Sequence, residues 1–296
     1  MQIRRLLLCW FTASLVLIAT LAAIAQEQAP AESGTTIDTR WFDFNRVNIL
    51  VALIVVFFLI IYFIEKAKRG RDLFVRRIAG LDAIEEAVGR ATEMGKPILY
   101  VPGIDDMNNI QTVASMIILG NVARTVAQYD IPLIVPLRLP FVLPVAEEAV
   151  RQGYMSAGRP EAFNKDNVRY ISDEQFAYAA GINGIMLREK PAANLFLGSF
   201  FAESLVLAET GFSTGAIQVA GTANIHQLPF FFVACDYTLI GEELFAASAY
   251  LSREPKLLGA LKGSDWAKSI ILAILGVGTI LVSLHVEWFR NWFLVE

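Results

Sequence analysis

The residues of this sequence best suited to chemistry are acidic and polar side chains that follow predicted strands. They are Asp105, Asp106, Asp173, Asn224, His226 and Asp236. In a parallel sheet the carboxyl ends of the strands meet at one edge, and ligands bind in the loops that follow them. Carboxylate oxygens gathered there would suit Mg²⁺ and a phosphoryl or hydrolytic reaction. One hypothesis is therefore a binding domain or a metal-assisted hydrolase for a small anionic or nucleotide ligand.

The same aspartates have a second interpretation, as caps of the helices that follow the strands. A short polar side chain before a helix accepts hydrogen bonds from the free backbone N–H groups of the first turn. Asp105, Ser172, Asp173 and Asp236 all precede predicted helices. We favour this interpretation, in which the aspartates are structural and no catalytic residue, metal ion or cofactor is assigned.

The sequence lacks the motifs that identify common reactions. No G-x-G-x-x-G follows the first predicted strand, and no G-x-x-x-x-G-K-[ST] occurs. The glycine turn that brings backbone amides to a phosphate is therefore missing. A catalytic triad would have to combine His226 with Ser199 or Ser213, and neither serine lies in a G-x-S-x-G elbow. Enzymatic activity stays open on these grounds, and a non-catalytic protein is favoured.

Short apolar runs bounded by Pro and Gly alternate with segments of helical period, which predicts alternating strands and helices. The predicted strands are Pro97–Val101, Ile131–Val135, Val168–Ile171, Asn194–Leu197, Ala216–Ala220 and Phe230–Ala234. The predicted helices are Asp82–Met94, Asn108–Gln128, Ala146–Gln152, Gln175–Arg188, Ala202–Glu209 and Ile240–Leu251. The strands show no apolar–polar alternation, as expected when both faces of a sheet are covered. The predicted fold is α/β, with a doubly wound, mostly parallel sheet of five or six strands flanked by two transmembrane helices.

Two uncharged apolar stretches, Val47–Ile64 and Ser269–Val286, bracket this region. Each has 18 residues, which is long enough at ~1.5 Å per residue to cross most of a ~30 Å hydrocarbon layer. A basic collar follows the first stretch, formed by Lys66, Lys68, Arg69, Arg71, Arg76 and Arg77. Basic flanks stay in the cytoplasm, so the collar predicts a cytoplasmic central domain. The collar either contacts anionic lipid or only sets the topology.

The predicted organisation is that of a multi-pass cell-membrane protein. Its segments are a signal peptide or uncleaved first helix at 1–25, an extracytoplasmic segment at 26–46, a span at 47–64, the collar at 65–77, the α/β domain at 78–252, a linker at 253–268, a span at 269–286 and an extracytoplasmic tail at 287–296. Small residues on the second span (Ala273, Gly276, Thr279 and Ser283) would allow close packing on the first span or between copies.

Charge and cysteine content exclude several protein classes. Residues 78–252 carry 10 Lys and Arg against 19 Asp and Glu, a net charge of −9. An acidic surface makes a nucleic-acid partner improbable, because phosphate backbones are bound mainly by positive charge. Cys235 is the sole cysteine outside the first 25 residues, so this region has no disulfide framework. The expected partners are the lipid bilayer, further copies of the chain or other membrane proteins.

The layout resembles an uncharacterised family of bacterial membrane-anchored proteins that bear a domain of unknown function. The resemblance covers about residues 45–290 and rests on the span, the collar and stretches such as Gly80–Gly103 (GLDAIEEAVGRATEMGKPILYVPG). It implies membrane residence and a cytoplasmic α/β body, without an activity to assign to particular residues. The function that we expect is a non-catalytic assembly or scaffold module at the inner membrane face.

Overall fold

The computed structural model describes residues 47–69 and 79–284. The chain divides into two compact units, Gly70–Leu261 and the combination of Met1–Arg69 with Lys262–Glu296. The predicted signal peptide, the extracytoplasmic segment, the tail and three collar residues (Arg71, Arg76 and Arg77) lie outside the described residues. The helices and strands in chain order are α1 (Val47–Lys68), α2 (Ala79–Met94), β1 (Ile98–Gly103), α3 (Ile110–Gln128), β2 (Leu133–Leu137), α4 (Leu143–Ser156), β3 (Val168–Tyr170), α5 (Gln175–Glu189), β4 (Ala193–Ser199), α6 (Glu203–Thr214), β5 (Ile217–Thr222), α7 (Leu228–Ala234), β6 (Tyr237–Ile240), α8 (Glu243–Ser252) and α9 (Pro255–Ser283).

The strands of the Gly70–Leu261 unit form one six-stranded sheet in the order β3-β2-β1-β4-β5-β6. All neighbouring strands are parallel. Ile98 on β1 lies opposite both Leu133 on β2 and Ala193 on β4. Parallel pairing places every strand's carboxyl end at the same edge, so the loops after β1 to β6 share one rim. The predicted α/β fold is confirmed, and the sheet is parallel throughout.

Helices cover both faces of the sheet, which explains why the strands are apolar on both sides. One core lies between the sheet and α2, α3, α4 and α8. The other lies between the sheet and α5, α6 and α7. In the second core Phe196 of β4 stacks on Phe231 of α7 with ring centroids 6.1 Å apart, and Phe200 meets Phe231 edge to face at 5.3 Å. These ring contacts hold the short helix α7 against the sheet.

Three described helices, α1, α3 and α9, are long and apolar enough to cross a membrane by length and composition. They differ in burial. In α3, 61% of the helix's most apolar 18 residues are buried within the protein, whereas the corresponding share is 6% in α1 and 6% in α9. Helix α3 packs on the centre of the sheet, where the Tyr100 hydroxyl donates to the Ser115 carbonyl (2.7 Å). The apolar composition of α3 therefore serves the domain core, whereas the apolar surfaces of α1 and α9 are left for another environment.

The last strand differs from the prediction. Residues 230–234, predicted as a strand, belong to helix α7, and the sixth strand is Tyr237–Ile240. Pro229 lies in the first turn of α7, a position where its missing N–H costs nothing. A short continuous apolar run fits a strand and a buried helical turn equally well, which explains the error. The following helix accordingly begins at Glu243 rather than at Ile240.

The other unit contains α1 and most of α9. The region predicted as a linker, 253–268, is helical from Pro255 onward and continues into the second apolar stretch. The two helices touch at Gly263, where an added Cβ would lie 2.8 Å from the Ile60 Cα. Phe63 and Trp266 stack nearby, with centroids 6.2 Å apart. Contact with α1 is thus made at Gly263, and not at Gly276, which has no atom within 4 Å of an added Cβ.

Candidate functional site

The strand order reverses between β1 and β4, which is where doubly wound folds with this order bind dinucleotides. Here the two strand ends stay in contact, because the Ile104 N–H donates to the Ser199 carbonyl (2.9 Å). Gly103 and Gly198, with φ of +92° and +150°, make this approach possible. A Cβ on Gly198 would overlap the carbonyl oxygen of Pro102. A Cβ on Gly103 would lie 2.7 Å from the Ser199 nitrogen. Backbone pairing of β1 with β4 therefore continues to the last residues of both strands.

A polar network fills the space beside this contact, with Asp105 at its centre. Asp105 Oδ2 accepts hydrogen bonds from Ser199 Oγ (2.6 Å) and Asn109 Nδ2 (2.7 Å). Ser199 lies at the end of β4 and is fully buried, and Asn109 precedes α3. Asp105 therefore ties the loop after β1 to the end of β4 and to the start of α3.

The network continues to the loop after β5 through Asn224 and Gln111. Asn224 Nδ2 donates to the Phe200 carbonyl (2.6 Å) and to Ser199 Oγ (3.3 Å). Gln111 Nε2 donates to Asn224 Oδ1 (3.1 Å), and Gln111 Oε1 accepts from the Ala223 N–H (2.7 Å). Each amide group thus uses both its oxygen and its nitrogen inside the protein. The loops after β1, β4 and β5 are held as one rigid rim.

This arrangement suits structural support better than catalysis. A serine nucleophile needs a general base and access to a substrate. Ser199 Oγ instead donates a hydrogen bond to Asp105 Oδ2, and the residue is fully buried. The neighbouring hollow, lined by residues that include Gly103, Thr112 and Arg138, is too tight to hold a water molecule. A ligand at this edge would have to displace hydrogen bonds that the protein already makes.

Two further predicted site residues, Asp106 and Asp173, lie exposed on the same rim. The Asp106 side chain accepts from the Met107 N–H (2.6 Å) and therefore turns back onto its own loop. Arg138 joins the loops after β1 and β3, since Nη1 donates to the Ile104 carbonyl (3.0 Å) and Nε to the Asp173 carbonyl (2.9 Å). The basic residue of this rim is thus used to brace two loops.

The remaining two predicted site residues, His226 and Asp236, lie at opposite edges of the sheet. His226 is exposed in the loop before α7. Asp236 precedes β6, so it lies at the amino ends of the strands, at the opposite edge of the sheet. There its Oδ2 accepts from the Gln218 N–H (2.8 Å) and completes the pairing of β5 with β6. The structure therefore brings together Asp105 and Asn224, keeps Asp106 and Asp173 on their rim, and separates Asp236 from them.

The predicted caps are also different residues in the structure. Asn109 caps α3, accepting from the Gln111 N–H (2.9 Å). Glu174 caps α5, accepting from the Phe176 N–H (3.1 Å) and the Ala177 N–H. Asp105 and Asp173 were therefore wrongly predicted as caps, and Asp236 precedes a strand instead of a helix. Each helix begins farther along the chain than its predicted cap requires.

Within residues 47–69 and 79–284, no group of three or more His, Cys, Asp or Glu side chains is arranged to hold a metal ion. A groove of about 260 Å³ lies far from the strand-end network, between α2, α3 and α8. Half of its lining is aliphatic, as at Ile84, Val88 and Val122, and half is polar or charged, as at Asn121 and Arg124. It is smaller than the ~300–1,000 Å³ of usual ligand pockets.

Sequence reasoning assigned no role to three of the polar residues at this edge: Asn109, Gln111 and Glu203. Glu203 is fully buried, and its carboxylate accepts from the Phe201 N–H (2.9 Å) and from Gln175 Nε2. The available signal for Asn109 and Gln111 was their position, because polar side chains in the first turn after β1 must face the strand-end loops. For Glu203 the signal was a lone carboxylate inside an apolar stretch.

A larger feature that sequence reasoning missed is an exposed apolar surface over α6 and α7. We define the α6–α7 face by Phe201, Leu205, Phe212, Phe230, Phe232 and Val233. Val233 is 86% exposed and Phe212 is 69% exposed. The two helices are joined where Ser204 Oγ donates to Gln227 Oε1 (2.7 Å). Residues 230–234, predicted as a strand of a sheet with both faces covered, thus contribute much of an open surface.

Comparison with known proteins gives a family and no described activity. The sequence model of a family described as a domain of unknown function, DUF6754, matches residues 37–293. No curated protein and no solved structure matches the chain. The matched segment covers the α/β unit and both apolar helices described above, and the chain belongs to the DUF6754 family.

Proposed function

We propose that this protein is a membrane-anchored assembly module, in which two apolar helices hold a non-catalytic α/β domain at the cytoplasmic face of the cell membrane. The observation that carries the proposal is the α6–α7 face. Four phenylalanines of this face are 37–69% exposed. Soluble monomers rarely leave contiguous apolar patches of more than a few hundred Å² in water, and larger patches mark interaction sites.

The two apolar helices support the membrane part of the proposal. Helices α1 and α9 bury little of their apolar surface within the protein, and such helices are stable where lipid replaces water. Lys66, Lys68 and Arg69 stand at the end of α1 that leads to the α/β domain. Positive charge at that end favours a cytoplasmic domain. Both ends of the domain would then be held at the same membrane.

A second candidate function is binding or hydrolysis of a small anionic ligand at the strand ends. The observation in its favour is the strand order, which places Asp105 and Asn224 where related topologies bind nucleotides. The network of the strand-end loops weighs against it, because a ligand would need to displace hydrogen bonds that Asp105, Ser199 and Asn224 already make. Thermal shift of the detergent-solubilised full chain with Mg²⁺, Mn²⁺ and a nucleotide panel separates the two proposals. Stabilisation by one of these ligands would favour the second.

The assembly proposal is tested by the mass of the full chain solubilised in mild detergent, combined with affinity capture from its own membranes. We expect a complex larger than one chain, or a reproducible protein partner. A matched pair of variants tests whether association uses the α6–α7 face. Val233→Asp changes this face, and Met155→Asp changes a side chain of α4 that is 56% exposed. A charge buried in an apolar contact without a partner is costly. Val233→Asp should weaken association about tenfold or more, equivalent to ~1.4 kcal/mol, and Met155→Asp should not.

A protein that stays strictly monomeric and captures no partner would contradict the proposal. Equal weakening by the two variants would contradict the assignment to the α6–α7 face. Because both side chains are exposed, neither substitution should disturb the fold, and circular dichroism of the variants checks this directly.

A further inference from the structure

We infer that the partner of the α6–α7 face is a second copy of the same chain, docked face to face about a two-fold axis. This inference rests on the proposed assembly function and names the partner. The carrying observations are the charge pattern, the extent and the rigidity of the face.

The charge pattern excludes the lipid bilayer as the favoured occupant. The sequence has no Lys or Arg between residues 191 and 252. Surfaces that lie on membranes combine apolar side chains with Lys and Arg, which anionic lipids attract. Without basic residues nearby, the α6–α7 face gains nothing from the negative surface of a cytoplasmic leaflet. A protein surface is therefore the better match.

The same charge pattern makes the face complementary to itself. Between residues 201 and 234 the sequence carries two glutamates, Glu203 and Glu209, and no Asp, Lys or Arg. Glu203 is buried and Glu209 is exposed. An isologous contact places the same patch on both sides, so it is favourable when the patch is apolar and nearly uncharged. Glu209 lies four residues after Leu205 and three before Phe212, on the same side of α6. The two-fold axis must therefore pass near α7, which keeps the two Glu209 side chains apart.

The extent of the face fits a stable contact. Taking ~200 Å² for one phenylalanine side chain, Phe201, Phe212, Phe230 and Phe232 alone expose about 400 Å². Leu205 and Val233 are 45% and 86% exposed and enlarge this area. A standard specific interface buries ~800 Å² on each partner, of which a little more than half is apolar. The apolar part of one such interface is therefore present on the α6–α7 face.

The face is also held rigid before a partner arrives. Ser204 joins α6 to the residue before α7 (2.7 Å), and Phe231 anchors α7 through ring contacts with Phe196 and Phe200. A preorganised surface loses less conformational entropy on association. The outward side chains of α6 and α7 thus present one fixed shape to the second copy.

The test is disulfide cross-linking of the full chain in its own membranes. Cys9→Ala and Cys235→Ala remove the native thiols, and single cysteines are then placed by Leu205→Cys and Val233→Cys. Matched controls on the other side of the sheet are Tyr129→Cys and Met155→Cys, which replace side chains of 54% and 56% exposure. A disulfide needs Cα atoms within about 7 Å of each other, so only positions close to the axis can link. We expect a covalent dimer to form roughly tenfold faster from a cysteine on the face than from either control, because only the face brings two copies within that ~7 Å.

Each other outcome overturns the inference in a distinct way. Equal rates of covalent dimer formation at all four positions would mean that the copies link through random collision. Poor linking on the face, in a protein whose mass still exceeds one chain, leaves the assembly function standing and removes the second copy from this face. Face cysteines that are shielded from a water-soluble maleimide in monomeric, membrane-embedded protein assign the face to lipid. A monomer that is freely labelled and captures no partner removes both proposals.

Discussion

Replacing Gly198 by alanine should separate β1 from β4 and destabilise the α/β domain. Gly198 has φ +150°, and an added Cβ would overlap the Pro102 carbonyl oxygen and lie 2.7 Å from the Pro102 carbonyl carbon. The backbone conformation costs ~1–3 kcal/mol for a residue with a side chain. Parting the strands also breaks the bond from the Ile104 N–H to the Ser199 carbonyl, and an unsatisfied buried group costs ~1–3 kcal/mol. We expect a total loss of about 4 kcal/mol.

Gly215→Ala is the matched control, since it shares the unfavourable backbone without the contact. Gly215 ends α6 with φ +70°, and an added Cβ there meets no atom within 4 Å. Its expected cost is about 1 kcal/mol, from the left-handed conformation alone. For a domain of this size 1 kcal/mol shifts Tm by ~2–4 °C, so the two variants should differ by about 6–12 °C.

The measurement is thermal unfolding of the full chain in detergent, followed by circular dichroism at 222 nm. Tryptophan fluorescence is unsuitable because all five tryptophans lie outside residues 70–261. Hydrogen exchange at Ile104 adds a local readout, and we expect its protection to fall in Gly198→Ala. Equal Tm values for the two variants, with Ile104 still protected, would refute the closed contact between β1 and β4.

Two further predictions concern packing and titration. Gly153→Ala should destabilise the domain by ~1–3 kcal/mol, because an added Cβ would lie 2.6 Å from a backbone oxygen of α3. Gly89→Ala, where an added Cβ meets no atom within 4 Å, should stabilise it by up to ~1 kcal/mol. Changes of the same sign in the free energy of denaturant unfolding for both variants would contradict the tight α3–α4 crossing. Burial, aided by a neighbouring carboxylate, raises the pKa of the Cys235 thiol to about 12 from 9.0. Iodoacetamide at pH 8.5 should therefore modify Cys235 far more slowly in the native than in the unfolded Cys9→Ala protein. The free energy of unfolding should also fall as pH rises from about 9 towards 12, because only the unfolded thiol ionises in that window. Equal modification rates would show that the thiol is open to solvent.

Much of the fold was predictable because its signals are local. The strand predicted at Pro97–Val101, from an apolar run closed by Pro102 and Gly103, corresponds to β1 at Ile98–Gly103. The helix 110–128 was predicted almost to the residue. The strand predicted at 230–234 was wrong because three successive phenylalanines show neither a helical nor a strand period. Only the packing of Phe231 between two other rings decides that this segment is helical.

The candidate site was predictable only in part, because its members are far apart in the chain. Asp105 and Asn224 were named from their places after strands, and they share one network through Ser199, which lies 94 residues from Asp105. Asp236 was named by the same rule but lies at the opposite edge, because the segment before it, predicted as a strand, is a helix. An error in one element therefore reverses the edge to which a side chain belongs.

The sequence by itself determined most of the element types, the class of the fold, the acidic charge of the domain and the two apolar helices, since composition and period act over a few neighbouring residues. Tertiary structure alone decided the strand order, the closure between Gly103 and Gly198, the burial of α3 and the exposure of α6 and α7. The physical reason is that an apolar side chain is stabilised by any surface that excludes water. Whether that surface is the sheet, the bilayer or a second protein depends on which elements the folded chain places beside it.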